Sequence, residues 1–385
     1  MGSLANELSG RKPAQQLGSA KDTGPDTGEF EGIQSDAPIS DWDAVFRQFN
    51  LDPEIFEVVK DTVRMSRWQQ SKALENGDRD IVTLYSTRAQ FRRKKTELDL
   101  PALYAAGKAR PRARVKTTPT ERATVAVLAD PQIGKTGRRG GTPELLDRMA
   151  EKREKLDALL KKRKPSIFGL LDAGDGFEAF ESGGNPMFTN DLSLGQQMDC
   201  YGTELYSIVE VGHRHAPVVG GGVPSNHTAW RNGRQNLGNP QDDLGMHVQT
   251  QMLKVAKAAK LDVTWSFPAP YDESVAVKFY DTVVGMVHGN QFGPGGAVTW
   301  WEKQTFGAQA ITAADLLITG HYHTFGAGVA GRNRDTGVQR WWLGAPTLDN
   351  GSDWFRNLGG RDSDPGMLVF DITPEGFDLQ SLTIL

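Results

Sequence analysis

The chain has 385 residues, which is long enough for one large domain together with a small one. Its net charge of -4 excludes a protein that coats nucleic acid with its whole surface, although a local basic surface is compatible with it. The single cysteine, Cys200, excludes an internal disulfide framework, and no apolar stretch has the length of a signal peptide or a membrane span. We therefore expect a soluble cytoplasmic protein that does not enter a membrane.

The N-terminal part of the chain differs in composition from the rest. Residues 1–40 are poor in large apolar side chains, so they bury too little surface to offset their chain entropy and are predicted to be a disordered tail. Residues 41–98 are predicted to form a small basic α+β module. Two short helices, the second starting at Asp52, precede β-rich runs over about 58–68 and 81–91, an order typical of a winged-helix-like module.

Basic residues are concentrated in this module and in a predicted basic linker over residues 99–122. From Lys60 to Lys95 there are ten Lys or Arg residues against four Asp or Glu residues, and five more basic residues lie between Lys108 and Lys116. Such a stretch is usually a solvated face. Contact with DNA phosphates is the alternative interpretation.

Residues 123–385 alternate predicted strands with helical patterns, which is typical of an α/β domain. Each of five predicted strands is followed immediately by residues of the types that bind metal ions. The segments are Asp130-Pro131-Gln132, Gly174-Asp175, Ser225-Asn226-His227, His288-Gly289 and Gly320-His321-Tyr322-His323. Because sites of such sheets form beyond the carboxyl ends of strands, these side chains are expected to meet.

The pattern favours a pair of divalent metal ions. Two ions about 3.5–4 Å apart need a bridging anion, and Asp175 is the predicted bridge. Asp130 adds a second negative charge, while neutral His and Asn ligands complete the coordination. A water that both ions acidify can attack phosphorus in line.

The ordered set of motifs over about residues 123–350 resembles the calcineurin-like metallophosphoesterase superfamily. The long chain and its basic flank look more like the SbcD-type double-strand-break nucleases, including forms carried by bacteriophages, than like small phosphatases. The resemblance implies an α/β fold in which a four-layer β-sandwich is flanked by helices. It also implies two divalent metal ions as cofactors, with Mn²⁺ favoured and Mg²⁺ as the alternative.

The resemblance further implies two groups of metal ligands that share Asp175. The first group is Asp130, Gln132, Asp175 and His323. The second group is Asp175, Asn226, His288 and His321. His227 is the implied catalytic residue, beside the scissile phosphate, where it stabilises the transition state or protonates the leaving oxygen.

Two departures from the family pattern leave alternatives open. Gln132 stands where the family usually has His; it is either a weak ligand that favours Mn or Mg over Zn, or a residue that does not touch the ion. Thr228 stands where an acid usually follows the Asn-His pair, so the partner that orients His227 is not evident. His288 taken alone is also compatible with a core histidine at a strand end.

The expected function is a DNA exonuclease or endonuclease in DNA processing, repair or recombination. One alternative is a phosphatase or phosphodiesterase that acts on small nucleotides or phosphoproteins. Another is a non-catalytic DNA-binding protein on a decayed phosphoesterase fold. DNA is the expected partner, and an ATPase of the SbcC type and a homodimer are compatible with the resemblance.

Overall fold

The computed structural model describes residues 18–24, 27–73, 78–94, 120–179, 190–232, 235–351 and 363–385. The chain divides into two compact units between Glu97 and Leu98. Most of the predicted basic linker lies outside the described residues.

The first unit is an antiparallel sheet with one helix packed on it. Its strands are β1 (Ser19–Gly24), β2 (Thr27–Ser35), β3 (Phe56–Val58), β4 (Arg64–Ala73) and β5 (Arg79–Arg93), and the helix is α1 (Trp42–Gln48). The order is β1-β2-β5-β3, and β4 also pairs with β5. Phe30 of β2 contacts Phe46 of α1 and Phe91 of β5, with ring centroids 5.3 and 4.6 Å apart.

The predictions for this unit are partly wrong. Ser19–Ser35 lie within the predicted disordered tail but form β1 and β2, because Phe30 and Ile33 are buried and β2 is hydrogen-bonded to β5. Residues 1–17 of that tail lie outside the described residues. Asp52 begins a turn that leads into β3, since its carbonyl accepts hydrogen bonds from the amides of Ile55 and Phe56, so the predicted second helix does not form at Asp52; a short 3₁₀ helix over Lys60–Thr62 precedes β4 instead. The described residues of this unit therefore do not have the winged-helix-like order of elements.

The second unit is a mixed α/β structure built on two sheets. The six-stranded sheet has the order β11-β8-β7-β6-β17-β18 and the five-stranded sheet has the order β12-β13-β14-β16-β15. The strands of the first sheet are β6 (Thr120–Leu128), β7 (Pro165–Asp172), β8 (Val218–Gly222), β11 (Val263–Ser266), β17 (Leu368–Thr373) and β18 (Gly376–Ile384). Those of the second are β12 (Ser274–Phe279), β13 (Thr282–Val287), β14 (Leu316–Thr319), β15 (Gly326–Arg332) and β16 (Gln339–Gly344). A short hairpin joins β9 (Arg231–Asn232) to β10 (Gln235–Asn236).

Helices cover the six-stranded sheet and part of the five-stranded sheet. They are α2 (Thr142–Arg163), α3 (Leu194–His213), α4 (Leu244–Ala258) and α5 (Ala297–Gln304). One apolar cluster lies between the first three helices and the six-stranded sheet. A second cluster lies between the two sheets, where Val125 and Leu171 share one core with Phe279 and Met286. Trp301 of α5 packs in a further cluster on the other side of the five-stranded sheet.

The parallel strands place several loops at one edge. β6, β7 and β8 are mutually parallel neighbours, and so are β13, β14 and β16 in the other sheet. Their carboxyl ends therefore carry the loops that hold the predicted ligands.

Among the residues that the structure describes, no helix is both long enough and apolar enough to span a membrane.

Candidate metal centre

The predicted ligand segments meet because backbone hydrogen bonds tie their loops together. The amide of Asp130, after β6, donates to the carbonyl of Gly174, after β7, over 3.1 Å. The amide of Gly320, after β14, donates to the carbonyl of His288, after β13, over 2.8 Å. The amide of His321 and the carboxylate of Asp130 then link the two sheets, since this amide lies 3.1 and 3.0 Å from the two oxygens of Asp130.

Five of the candidate residues have an unusual backbone conformation. Their φ angles are 50° for Asp130, 45° for Gln132, 51° for Asp175, 67° for His321 and 58° for His323. A non-glycine residue in this region costs about 1–3 kcal/mol and persists only where its surroundings hold it. Such strain concentrates at binding and active sites, which is compatible with a constrained ligand set here.

Gly174 has to be glycine for the loops to approach. Its φ is 96°, and a Cβ there would lie 2.6 Å from the Cβ of Ser225 and 2.9 Å from Nδ1 of His288. Both distances are shorter than real contacts. A side chain at this position would push the Asn226 loop and His288 away from Asp175.

The best-defined cluster of ligand atoms is formed by Asp175, His288 and His321. One ligand atom from each lies within 4.8 Å of the other two. Nδ1 of His288 lies 2.7 Å from the carbonyl of Ala173, which can only accept, so this nitrogen carries a proton. In the neutral ring Nε2 then has a lone pair, and it lies 3.1 Å from Oδ2 of Asp175 and 2.9 Å from Oδ1 of Asn226.

Three electron-pair donors therefore converge on one point. Oδ2 of Asp175 is buried and has no hydrogen bond among the described residues. Such an arrangement is stable only with a cation between the three atoms, either a proton on His288 or a metal ion. Carboxylate, amide oxygen and imidazole are suitable ligands for Mn²⁺, and the residues present fit a divalent ion.

The charges of the site are consistent with cation binding. Burial lowers the pKa of His288, but the carboxylate of Asp175 outweighs this effect and raises it to about 9. Burial and the neighbouring His288 lower the pKa of His321 to about 4. Although burial opposes it, the positive charges of His288 and His227 hold the pKa of Asp175 well below its usual range.

His227 is oriented by a residue that the sequence did not single out. Its amide donates to Oδ1 of Asp175 over 2.9 Å, and its Nδ1 lies 3.0 Å from the carbonyl and 3.2 Å from the carboxylate of Glu178. The side chain of Glu178 is fully buried. Glu178 therefore takes the place of the acid that is missing at Thr228.

Gln132 contacts two neighbours of the centre. Its Nε2 lies 3.1 Å from Nε2 of His227, and its Oε1 lies 2.6 Å from Nζ of Lys135. Lys135 also reaches Oδ2 of Asp349 over 2.6 Å, and the same oxygen lies 3.7 Å from Nδ1 of His323. Burial lowers the pKa of Lys135, but Asp349 and Glu178 raise it above its ordinary value, so the group is charged.

The structure brings all the predicted site residues to one place, and their role as ligands stays a prediction. Asp175, Asn226, His288 and His321 converge most closely. Asp130 and His323 lie beside them, with Nε2 of His323 3.5 Å from Oδ1 of Asp130. The sequence did not identify Lys135 and Asp349, because nothing in their local patterns indicates that they are buried.

A cleft of about 270 Å³ adjoins the centre at Asn226. Its lining includes Trp230, Arg231, Asn290 and Gln291. Trp230 is 54% exposed, and Nε of Arg231 is buried without a hydrogen bond among the described residues. An aromatic face beside a guanidinium and side-chain amides can receive a planar, hydrogen-bonding group.

No family model and no curated protein matches the chain. Among solved structures, the chain is similar to one described as "Structure of PhoD", with a TM-score of 0.33 and 8% sequence identity over 93% of this chain and 84% of that chain. A likeness with so low a TM-score carries no inference about fold or activity. The function has to be inferred from the residues and their geometry.

Replacing Asp175 by Asn tests the cluster directly. Asp175→Asn keeps the shape of the side chain but removes the charge that holds the cation, so we expect the loss of at least one equivalent of bound Mn²⁺ with the fold intact. Metal content after gel filtration and circular dichroism measure the two properties. Asp281→Asn, at a side chain that is 97% exposed, is the matched control. Unchanged metal content in folded Asp175→Asn would exclude Asp175 as a ligand.

Metal binding should depend on pH through His288. With a pKa of about 9, His288 is protonated at pH 7 in the metal-free protein, so an incoming ion must displace one proton. His321, with a pKa of about 4, is already neutral there. The apparent affinity for Mn²⁺ should therefore rise about tenfold per pH unit between pH 6 and 8. Calorimetry in two buffers of different protonation enthalpy measures the released proton; equal affinities across this range would contradict the assignment of His288.

Proposed function

We propose that the protein is a divalent-metal-dependent phosphoesterase that hydrolyses phosphodiester bonds in DNA. The observation that carries the proposal is the convergence of Oδ2 of Asp175, Oδ1 of Asn226 and Nε2 of His288 on one point, next to His227. The order of the five ligand segments along the chain, which resembles the metallophosphoesterase superfamily, supports it. The four-layer sandwich of that family is part of the proposal, and the shared core of the two sheets supports it.

The ligands best supported for an ion are Asp175, Asn226, His288 and His321. When bound, a divalent ion at this place polarises a phosphoryl oxygen and makes a bound water acidic enough to attack phosphorus. The resemblance adds a second ion at Asp130, Gln132, Asp175 and His323, with Mn²⁺ favoured over Mg²⁺. The mixture of imidazole and oxygen donors supports Mn²⁺.

His227 is the group that acts on the phosphate. Burial lowers its pKa, but the carboxylates of Asp175 and Glu178 outweigh this effect and raise it to about 9. The raised pKa allows the ring to take up a proton at neutral pH and so to stabilise charge on the phosphate or protonate the leaving oxygen; a proton on Nε2 requires the NH₂ group of Gln132, 3.1 Å away, to move aside. Glu178 holds the ring through Nδ1, which leaves Nε2 directed toward Asp175 and Gln132.

The first unit supports DNA as the substrate. Arg64 of β4 lies directly opposite Arg88 of β5 in the hairpin, and both side chains are exposed. Like charges that face each other across two strands destabilise a sheet unless an anion lies between or near them. DNA phosphates would supply that anion. An ATPase of the SbcC type and a cytoplasmic location complete the proposal.

One observation favours a second candidate, a phosphodiesterase that acts on small nucleotides. The cleft beside Asn226 offers Trp230 and Arg231 to a single base and its phosphate. The same residues can also receive the terminal nucleotide of a DNA strand. The cleft supports a nucleotide-containing substrate in both cases.

A substrate panel tests the proposal. The protein is incubated with labelled linear, circular and hairpin DNA, with cyclic dinucleotides and with bis(p-nitrophenyl) phosphate, each with Mn²⁺, Mg²⁺ or a chelator. Metal-dependent cleavage of DNA supports the nuclease. Hydrolysis of the small diesters without cleavage of DNA favours the second candidate, and no hydrolysis of any of them favours a non-catalytic DNA-binding protein.

His227→Ala separates catalysis from metal binding. Because His227 contacts the carboxylate through its backbone amide, the substitution should leave the bound metal unchanged while the rate falls by about 10²–10⁴-fold. Rates with bis(p-nitrophenyl) phosphate and metal content measure this. His247→Ala, on the exposed face of α4, is the control and should change neither quantity. If metal is lost together with activity, His227 is a ligand.

Removing the facing arginines tests the DNA surface in the full chain. The double variant Arg64→Gln/Arg88→Gln should bind DNA more weakly. The slope of the logarithm of the binding constant against the logarithm of salt concentration should become less steep by about two units, since each phosphate contact contributes about 0.9 to it. Hydrolysis of bis(p-nitrophenyl) phosphate should not change. The control is Lys161→Gln/Lys162→Gln, which also removes two positive charges but on an exposed part of α2. Equal salt slopes in all three proteins would contradict a role of the hairpin in DNA binding.

A further inference from the structure

Lys135 is a buried cation in the loop that follows β6. Its amide donates to the carbonyl of Gln132 over 3.1 Å, which folds the loop so that the lysine side chain returns toward the centre. Nζ then lies 2.6 Å from Oε1 of Gln132 and 2.6 Å from Oδ2 of Asp349, and the side chain is only 12% exposed.

The ammonium fixes which way the Gln132 amide points. An ammonium has three N–H donors and no acceptor, so it must face the carbonyl oxygen of Gln132 and not its NH₂ group. The carbonyl oxygen is the only atom of this side chain that can bind a cation. In the observed arrangement the ammonium of Lys135 lies against the oxygen that a metal ion would need, so a dication at that oxygen would be repelled by it.

The same lysine changes the charge around the first ligand group. Oδ2 of Asp349 contacts both Lys135 and the ring of His323, so one carboxylate separates the ammonium from the place where His323 and Asp130 would hold an ion. Both oxygens of Asp130 already accept the amide of His321. A second dication would have one ligand fewer and a fixed ammonium beside it.

We propose that the centre binds a single divalent ion, at Asp175, Asn226, His288 and His321, and that the ammonium of Lys135 takes the electrostatic place of the second ion. The proposal rests on the metal centre of the proposed function and departs from the two ions that the family resemblance implies. In this chain Gln132 is a partner of Lys135 and not a ligand. The positive charge at the first ligand group is then part of the polypeptide and is not removed by chelation.

The number of bound ions tests the proposal. Protein is saturated with Mn²⁺, freed of excess metal by gel filtration, and measured by elemental analysis and electron paramagnetic resonance. Wild type should hold one ion per chain and give the six-line spectrum of an isolated Mn²⁺. Lys135→Met/Gln132→His removes the ammonium and restores an imidazole, so it should hold two ions and give the spectrum of a coupled pair.

Lys155→Met is the control, because Lys155 is an exposed residue of α2 that pairs with Glu151. It should behave as wild type. Two ions or a coupled spectrum in wild type would overturn the proposal, and this result does not depend on whether the double variant folds. A folded double variant that still holds one ion would overturn the role of Lys135.

Hydrolysis of bis(p-nitrophenyl) phosphate by the same samples distinguishes this proposal from the proposed function. Hydrolysis by a wild type that holds two ions contradicts the single-ion centre but leaves the phosphoesterase intact. One ion without hydrolysis of any diester supports the single-ion centre and contradicts the phosphoesterase. A wild type that binds no ion contradicts both.

Discussion

A carboxylate as deeply buried as that of Asp175 is stable in a protein interior only when cations or hydrogen-bond donors surround it. One of its oxygens accepts the amide of His227, and the other has no hydrogen bond among the described residues. The requirement for a cation at that second oxygen explains why His288, His321 and Asn226 converge there. It also explains the strained backbone at Asp175 and His321, because both residues have to bring a ligand atom to the same point.

The loop that carries Asn226 and His227 is held by a network behind the ligands. Oγ of Ser225 accepts the amide of Asp175, and Oδ2 of Asp243 accepts both the Ser225 amide and the hydroxyl of Thr228. Oδ1 of Asp243 caps α4 by accepting the amide of Met246. One carboxylate therefore joins the start of a helix to the candidate site. Replacement of the family's acid by Thr228 thus leaves the loop anchored, because Asp243 and Glu178 each take part of that role.

Much of the candidate site could be predicted from sequence, because its ligands directly follow short apolar strands and their order along the chain is informative. Their neighbours could not be predicted in the same way. Asp349 comes from a distant loop, and only the folded chain brings it to Lys135. Glu178 follows Asp175 by three residues, but its burial depends on the path of its loop. The sequence shows that Gln132 stands where the family usually has His. It does not show that the ammonium of Lys135 lies beside this glutamine.

The first unit shows the same limit for the fold. The low apolar content of residues 1–40 predicted disorder, but Phe30 and Ile33 suffice to anchor β2 once β5, far later in the chain, supplies its backbone partners. The first of the two short helices predicted for this module is present as α1, because a helix depends on near neighbours, and Asp41 caps it by accepting the amide of Ala44. Non-local pairing is what composition alone cannot predict.

The account's central claim is that a divalent ion binds at Asp175, and diffraction from crystals soaked in Mn²⁺ tests it most directly. Anomalous scattering at the manganese edge locates the ion without reference to activity. The account predicts a peak within coordination distance of Oδ2 of Asp175, Nε2 of His288 and the ring of His321. The absence of a peak there at saturating Mn²⁺, or a peak only at another place, would contradict it.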